Sequence, residues 1–396
     1  MINNNIYSSN NNYINMNPQK SFNDGMNNIN NNNNINEKKL QKYPNKIGLE
    51  NLGHSSYMNA SLQCLFNIKI LSKKLLHKYL TLNPNSQPLT FAYTSLLFDL
   101  KNGTSKYINP SMFKSIIGDL NPLFQGNKTS DPRELISFII ERLHQELKPL
   151  ILHKKSQIDF YEQELISLNN KLSFQNFYND MLYNISCIFD TFYGITKIER
   201  ECYSCRIIKY SYQTFNMLNF ILKEVKEYKI KSIGNEYYNK INIYDAFDRM
   251  EKKNHLYGEN QIFCNNCNKM SNHDSNEMIF SLPPILIVVL NRGKNGQDFN
   301  EQFIFDEVLN FNNSNYVIYE KSYKKYYLCG LISRIGGISS NSHFISFCRN
   351  SVYNKFVMYN DTLVTENIEI EDAMKFKISD NDNEKVTPYI LFYHYF

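Results

Sequence analysis

The chain has 396 residues, enough for one large enzyme domain with subdomains, and 42% of them are hydrophobic, enough for a sizeable core. The formal net charge is +5, with lysines scattered among Asn, Tyr and Ile and not gathered in a basic tract, which argues against a nucleic-acid partner. No run of about 18 apolar residues occurs and the first 43 residues are polar, so neither a membrane span nor a secretory signal peptide is expected, and the expected address is intracellular, cytoplasmic or nuclear.

Residues 1–43 are dominated by Asn, including the run Asn30 to Asn34, with no apolar period that could drive burial; they read as a disordered tail ahead of a folded domain over 44–396. From Ser56 the apolar residues Met58, Leu62, Leu65 and Phe66 fall at helical spacing along one face, so a buried helix is expected to start there. A second helix is predicted over about 131–147, where Leu135, Phe138, Ile139, Leu143 and Leu147 repeat, with Asp131 as N-cap and Glu134 three residues later. Residues 155–172 read as a further exposed helix or insertion. From about residue 185 short runs rich in Ile, Val, Tyr and Phe alternate with Gly, Asn and Pro, as in 282–290, 326–332 and 344–348; these are expected strands. Helices first and strands afterwards predict an α+β architecture with both halves of the chain meeting in one cleft.

Eight cysteines in an intracellular chain, four of them in two CxxC pairs, suggest thiols or metal ligands more than a disulfide framework. Cys202-Tyr203-Ser204-Cys205 and Cys264-Asn265-Asn266-Cys267 share the same spacing and a turn-like polar context between strands. Each CxxC turn can present two sulfurs to one ion, so four thiolates can close a tetrahedral structural zinc site with no position left for water. The alternative is two unrelated cysteine pairs.

The segment Gly48-Leu49-Glu50-Asn51-Leu52-Gly53-His54-Ser55-Ser56-Tyr57-Met58-Asn59-Ala60-Ser61-Leu62-Gln63-Cys64-Leu65 resembles the cysteine box of ubiquitin-specific proteases. Further landmarks follow in that family's order: Ile108-Asn109-Pro110, Asn121-Pro122, a degenerate Asp131-Pro132-Arg133-Glu134-Leu135 box, Phe192-Tyr193-Gly194, both CxxC pairs, and Leu282-Pro283-Pro284 leading to Arg292. A histidine box follows as Gly336-Gly337 and Ser342-His343-Phe344, then Phe356 to Asp361 and Tyr389 to Tyr393. The resemblance covers residues 44–396 and implies a papain-like hand: a helical thumb over about 44–185, zinc-clipped β fingers over about 186–285 and a β palm over about 286–396. It also implies that ubiquitin is gripped by this hand, with its tail threaded between thumb and palm.

Hydrolysis of an isopeptide after ubiquitin's last glycine needs a nucleophile, a base, a group orienting the base and donors for the oxyanion. The positions that the resemblance matches to these roles are Ser56, His343, Asn360 and His54, with Asp361 beside Asn360. The family's nucleophile is a thiol, which a helix start and an imidazolium stabilise as thiolate; a serine alkoxide is far too basic for that ion pair. A serine mechanism instead needs a carboxylate behind the histidine. Replacing such a carboxylate by an amide lowers turnover by roughly 10⁴, and loss of an oxyanion donor by about 10²–10³. Asn360 is uncharged, His54 is wider than the family's Asn, and Asp361 compensates only if it points inward.

Ser55, Thr129, Ser130, Arg334 and Ser342 are further departures around the same site, Ser342 standing where a glycine precedes the histidine. Without the resemblance His343 reads as a strand histidine and Ser56 as an N-cap. Cys64 lies about 12 Å further along the helix and reads as core. The reading that follows is a ubiquitin-binding protein, weak or inactive as an isopeptidase, acting as scaffold, decoy or regulatory subunit. Its rivals are an active deubiquitinase using Ser56, His343 and Asn360, and a structural module that has lost ubiquitin.

Overall fold

The computed structural model describes residues 46–148, 168–182, 185–235, 238–293, 299, 301–312, 316–319, 325–336, 343–350, 355–375 and 386–395. The Asn-rich tail, residues 155–167 of the expected insertion, Gly337 and Ser342 lie outside them. The first part is helical: α1 (Ser56–Phe66), α2 (Lys69–Lys78), α3 (Pro88–Asn102), α4 (Ser111–Leu120), α5 (Pro132–Glu146) and α6 (Leu168–Leu182). Two short strands, β1 (Gly48–Leu49) and β2 (Tyr107–Ile108), pair in parallel beside them.

The second part is mainly β. A finger-like sheet contains β3 (Gly194–Cys202), β4 (Ile208–Phe215), β6 (Asn254–Leu256) and β9 (His273–Ser281), in the order β4-β3-β9-β6. Near it the hairpin β7 (Ile262–Cys264) and β8 (Lys269–Ser271) forms a separate ribbon. The larger sheet is built from β5 (Leu218–Ile221), β10 (Ile285–Asn291), β12 (Lys325–Ile335), β13 (His343–Asn350), β14 (Lys355–Asn360), β15 (Leu363–Ile368) and β16 (Val386–Tyr395). Their order is β15-β14-β13-β12-β16-β10-β5, with β11 (Val308–Asn310) alongside β12. Among the described residues, only the β10–β5 pairing in this sheet is parallel.

This sheet is buried on both faces, which β10 shows residue by residue. Ile285, Ile287 and Val289 pack with the helices α1 to α5, whereas Leu286, Val288 and Leu290 pack on the other side with Leu222, Val225 and Phe247. Those last residues belong to α7 (Leu222–Ile233) and α8 (Ile243–Glu251), two helices inside the half of the chain expected to be only strands. Their local cause is plain at α8: Asn242 accepts from the Tyr244 and Asp245 N–H groups while Asp245 accepts from the Asn242 N–H, a reciprocal cap.

α1 differs from the one-faced helix that its apolar spacing predicts. Every residue from Ser56 to Phe66 is buried, because helices cover one side and β13 the other. Its polar side chains therefore bond to backbone carbonyls: Ser61 Oγ to Tyr57 (2.7 Å) and Gln63 Nε2 to Ile47 (2.9 Å). Cys64 is core, as expected, and burial beside Cys348 pushes its thiol pKa up. The N-cap is Ser55, not Ser56, which is the first helical residue; the Ser55 hydroxyl turns back to accept from the Leu52 N–H (2.8 Å).

α5 begins as predicted, with the Asp131 carboxylate accepting from the Arg133 N–H (2.8 Å). At its other end the Glu146 carboxylate is buried and accepts from the backbone N–H groups of Leu89 and Thr90 at the start of α3. Two residues earlier, His144 sits against Ser186. The Ser186 hydroxyl oxygen accepts from the Ile188 and Phe189 N–H groups, so its proton goes to His144 Nδ1 (2.7 Å), which must be unprotonated. Burial, with Lys148 nearby, lowers this imidazole's pKa to about 4. α6 packs Phe174 and Tyr178 against Ile195, Tyr212 and Phe280 of the finger-like sheet.

The unfolded chain takes up a proton at His144 near pH 6.5, whereas the folded one resists until about pH 4. Stability linked to this group is therefore complete above pH 6.5 and is lost as pH falls toward 4, by about 1 to 2 kcal/mol after discounting for partial solvent contact. In urea titrations at pH 7 and pH 4.5, His144→Gln should show a smaller pH-dependent loss than the parent protein by that amount.

Candidate active site

The site forms where the start of α1 meets the near ends of β13 and β14. β1 carries the chain in: the Leu49 N–H donates to the Asp361 carbonyl (2.9 Å), and Gly48 packs so close that a Cβ there would lie 2.6–2.7 Å from the Thr362 and Asp361 oxygens. A glycine is required at that contact. Gly53 (φ 87°) and His54 (φ 53°) then turn the chain through left-handed backbone, and Ser56 opens α1.

Ser56 is 5% exposed, and its Oγ accepts from the Phe344 N–H (3.3 Å). His343, the residue before Phe344, is the first of β13. Its Nε2 lies 2.7 Å from Asn360 Oδ1 at the end of β14. An amide oxygen only accepts, so Nε2 carries the proton and Nδ1 holds the lone pair. The ring is thus held in the tautomer that can take a proton.

Asp361, in the turn after β14 (φ 51°), does point inward. Its Oδ2 is 3.8 Å from His343 Nε2, beyond hydrogen-bond range, and both carboxylate oxygens are otherwise engaged. Asn51 Nδ2 donates to Oδ2 (2.7 Å) and Asn59 Nδ2 to Oδ1 (2.8 Å). Asn51 Oδ1 in turn accepts from the Gly53 and Ser55 N–H groups (3.0 and 3.2 Å) and from the Ser55 hydroxyl (3.2 Å). Neither asparagine was singled out by sequence reasoning, although both stand in the box from Gly48 to Leu65. Ser56, His343, Asn360 and Asp361 are therefore brought together, while His54 lies exposed at the edge of the same loop.

Beside the site an aromatic pair leads to a carboxylate. The Phe344 and Tyr389 rings are 5.8 Å apart, and the Tyr389 hydroxyl donates to Asp131 Oδ2 (2.5 Å), which joins α5 to β16 beside the site.

At the far end of the finger-like sheet, the four cysteine sulfurs of Cys202, Cys205, Cys264 and Cys267 lie within 4.8 Å of one another. None of them is in a disulfide. Cys202 Sγ is 3.9 Å from Cys267 Sγ, and Cys205 Sγ is 3.8 Å from Cys264 Sγ. A tetrahedral zinc with bonds of about 2.3 Å has sulfur–sulfur edges of about 3.8 Å, so the donor set fits the ion that the spacing predicts. The Ser271 hydrogen bond and nearby backbone N–H groups lower the Cys202 pKa to about 5, favouring a thiolate.

A family model described as ubiquitin carboxyl-terminal hydrolase matches residues 47–393. Among curated relatives, ubiquitin carboxyl-terminal hydrolase 4 of Vanderwaltozyma polyspora is 27% identical over 280 residues, 65% of this chain and 30% of that protein. The protein of the same description from Bos taurus is 30% identical over 195 residues, 46% of this chain and 20% of its own length. Ubiquitin carboxyl-terminal hydrolase 15 of Rattus norvegicus is 29% identical over 191 residues, 46% of this chain and 20% of its length. The chain thus spans less than a third of these relatives.

Purified protein that has not met a chelator should carry about one equivalent of zinc by elemental analysis, and Cys205→Ser with Cys264→Ser should carry less than half of that. Zinc below about 0.5 equivalents in the unmodified protein contradicts four thiolate ligands.

Proposed function

The chain belongs to the ubiquitin carboxyl-terminal hydrolase family, and from that premise we propose that it grips ubiquitin or ubiquitin conjugates while hydrolysing the isopeptide bond weakly or not at all. In this reading the helices α1 to α5 are the thumb, the sheet carrying His343 is the palm, and the finger-like sheet is tipped by a structural zinc on Cys202, Cys205, Cys264 and Cys267. The zinc contributes folding free energy to the fingertip and takes no part in the reaction.

The observation that carries the proposal is what stands behind His343. For Ser56 to attack a carbonyl, its proton must pass to His343 Nδ1 as the Oγ–carbon bond forms, leaving an imidazolium. The group on Nε2 is the amide oxygen of Asn360, at 2.7 Å, which orients the ring but carries no charge to stabilise that cation. The nearby carboxylate, Asp361, sits at 3.8 Å and shares its charge with the Asn51 and Asn59 amides. With a thiol at position 56, proton transfer to histidine precedes attack and the same arrangement suffices. With a hydroxyl it does not.

A rival reading, an active deubiquitinase, draws on the same site: the tautomer of His343 leaves Nδ1 free of a proton, as a general base must be, and the exposed His54 ring would serve the oxyanion. Loss of the ubiquitin grip altogether is the third reading. The role of this grip, as scaffold, decoy or subunit of a regulatory complex, follows from binding without turnover.

The parent protein and Ser56→Cys should be compared on fluorogenic ubiquitin and titrated with free ubiquitin. Ser56→Cys is expected to turn over at least about 10³ times faster than the parent, with ubiquitin affinities within about threefold. Comparable turnover by both overturns the pseudoprotease reading in favour of an active serine enzyme. Failure of both to bind ubiquitin favours the purely structural module.

A further inference from the structure

The separate ribbon β7–β8 buries one face and leaves the other bare. Successive side chains of a strand alternate between its faces. Cys264 and Ser271 turn inward and are buried, so Phe263 and Met270, directly opposite each other in the ladder, turn outward and are 50% and 53% exposed. Tyr203, inside the first cysteine knuckle, and Ile207 and Ile208, just after it, are exposed at the same end of the fingers. Tyr257 is exposed just beyond β6, whose His255 shares the Asp274 carboxylate with Tyr203. Six of the fifteen well-exposed large hydrophobic side chains among the described residues therefore gather around the four cysteines. Single exposed apolar side chains need no explanation, whereas a gathered set with a polar rim marks a contact surface.

The set is held in place. The Tyr203 hydroxyl donates to Asp274 Oδ1 (2.7 Å), its N–H donates to the Asn272 carbonyl (2.9 Å), and the Arg206 guanidinium lies 5.6 Å from its ring centre. The Cys202 N–H fixes Ile207 through its carbonyl (3.1 Å). Side chains already fixed in a presenting position lose little freedom on binding. The charge around them is uneven. Residues 201–209 and 252–274 carry five exposed cations, Arg206, Lys209, Lys252, Lys253 and Lys269, against three carboxylates. Two of the three are already held, Glu201 by Arg206 (3.3 Å) and Asp274 by Tyr203 and His255. Lysines scattered along the sequence are thus collected by the fold at one end of the finger-like sheet.

We propose that this end of the fingers is a docking surface for a second protein, separate from the Ser56 site, and that it takes a segment whose apolar side chains are flanked by Asp and Glu. The apolar side chains of that segment cover Phe263, Met270 and Tyr257, and its carboxylates meet the surrounding cations. Tyr, Phe, Met and Arg in the middle with Lys at the margin is the composition of a protein interface. A second copy of this chain would set cations against cations. A nucleic-acid strand needs open ring faces, but Arg206 lies over Tyr203, and Ile207, Ile208 and Met270 offer no ring to a base. The inference does not rest on the ubiquitin-binding reading.

The test selects a displayed library of random short peptides on the full chain and measures a synthetic copy of the most frequent peptide against the parent and two double variants. Selected peptides should be enriched in Asp and Glu beside Phe, Leu or Ile. The peptide should lose at least about tenfold in affinity for Phe263→Ser with Met270→Ser, and as much for Arg206→Glu with Lys253→Glu, and its binding to the parent should weaken with added salt. Unchanged urea midpoints in both variants show that the fold is intact, because all four side chains are exposed.

The proposal is overturned if the selected peptides show no acidic enrichment, or if both variants bind the peptide as the parent does. It is also overturned if the parent binds an oligouridylate strand, or vesicles of phosphatidylcholine and phosphatidylserine in equal parts, and both variants lose that binding; the surface then belongs to a nucleic acid or a membrane. If the variants lose free ubiquitin in step with the peptide, the surface is part of the ubiquitin grip and is not a separate one.

Discussion

α1 is surrounded, so each polar side chain on it must find a partner within the protein, and the partners it finds hold distant parts of the chain in register. Asn59 reaches the Asp361 carboxylate, which also takes the Asn51 amide, while the Leu49 N–H takes the Asp361 carbonyl. One residue after β14 therefore fixes β1, the loop ahead of Ser56 and the helix that Ser56 starts. A residue whose carboxylate takes two donors and whose carbonyl takes a third is costly to misplace, because each unmade bond leaves a desolvated group. The relative positions of Ser56, His343 and Asn360 follow from that requirement, whatever chemistry the trio performs.

Part of this was legible in the sequence. The box from Gly48 to Leu65 identified the helix and its neighbours, and Asp131 was readable as an N-cap because its cause is local, a carboxylate two residues ahead of the N–H it accepts from. The α+β order was readable from periodicity, but α7 and α8 were not, since Ile and Tyr residues there suggested strands. The Asn242–Asp245 cap was the overlooked local signal. Which serine caps α1 depends on backbone geometry: Ser55 has non-helical backbone angles (φ −99°, ψ 12°), and its hydroxyl is drawn toward Leu52 and Asn51. The Asn51–Asp361 bond joins residues more than three hundred positions apart, and no local pattern encodes such a contact.

The cysteine cluster shows how long-range geometry can still be anticipated when the chemistry is restrictive. Cys202 ends β3 and pairs in register with His273 of β9, which brings the first knuckle beside the hairpin that carries the second. Four sulfurs converging within a few ångströms satisfy a tetrahedral ion and little else. The active-site residues obey a looser constraint, because a serine, a histidine and an amide can be neighbours for several reasons. Hence the convergence of the four cysteines was predictable from spacing, and the surroundings of an oxygen at position 56 required the hydrogen bonds.

The two-sided burial of β10 raises a problem of alignment. Sliding this strand by one residue would exchange the contents of the two cores, and because both sets are Ile, Leu and Val, oiliness alone barely penalises the slip. Directional contacts must do so instead. Tyr326 donates its hydroxyl to the Pro283 carbonyl just before the strand, at 2.7 Å. This phenol acts as a registration mark: a shifted strand would leave a buried hydroxyl with nothing to hold, so the correct threading of the strand is selected by an oxygen atom at its margin.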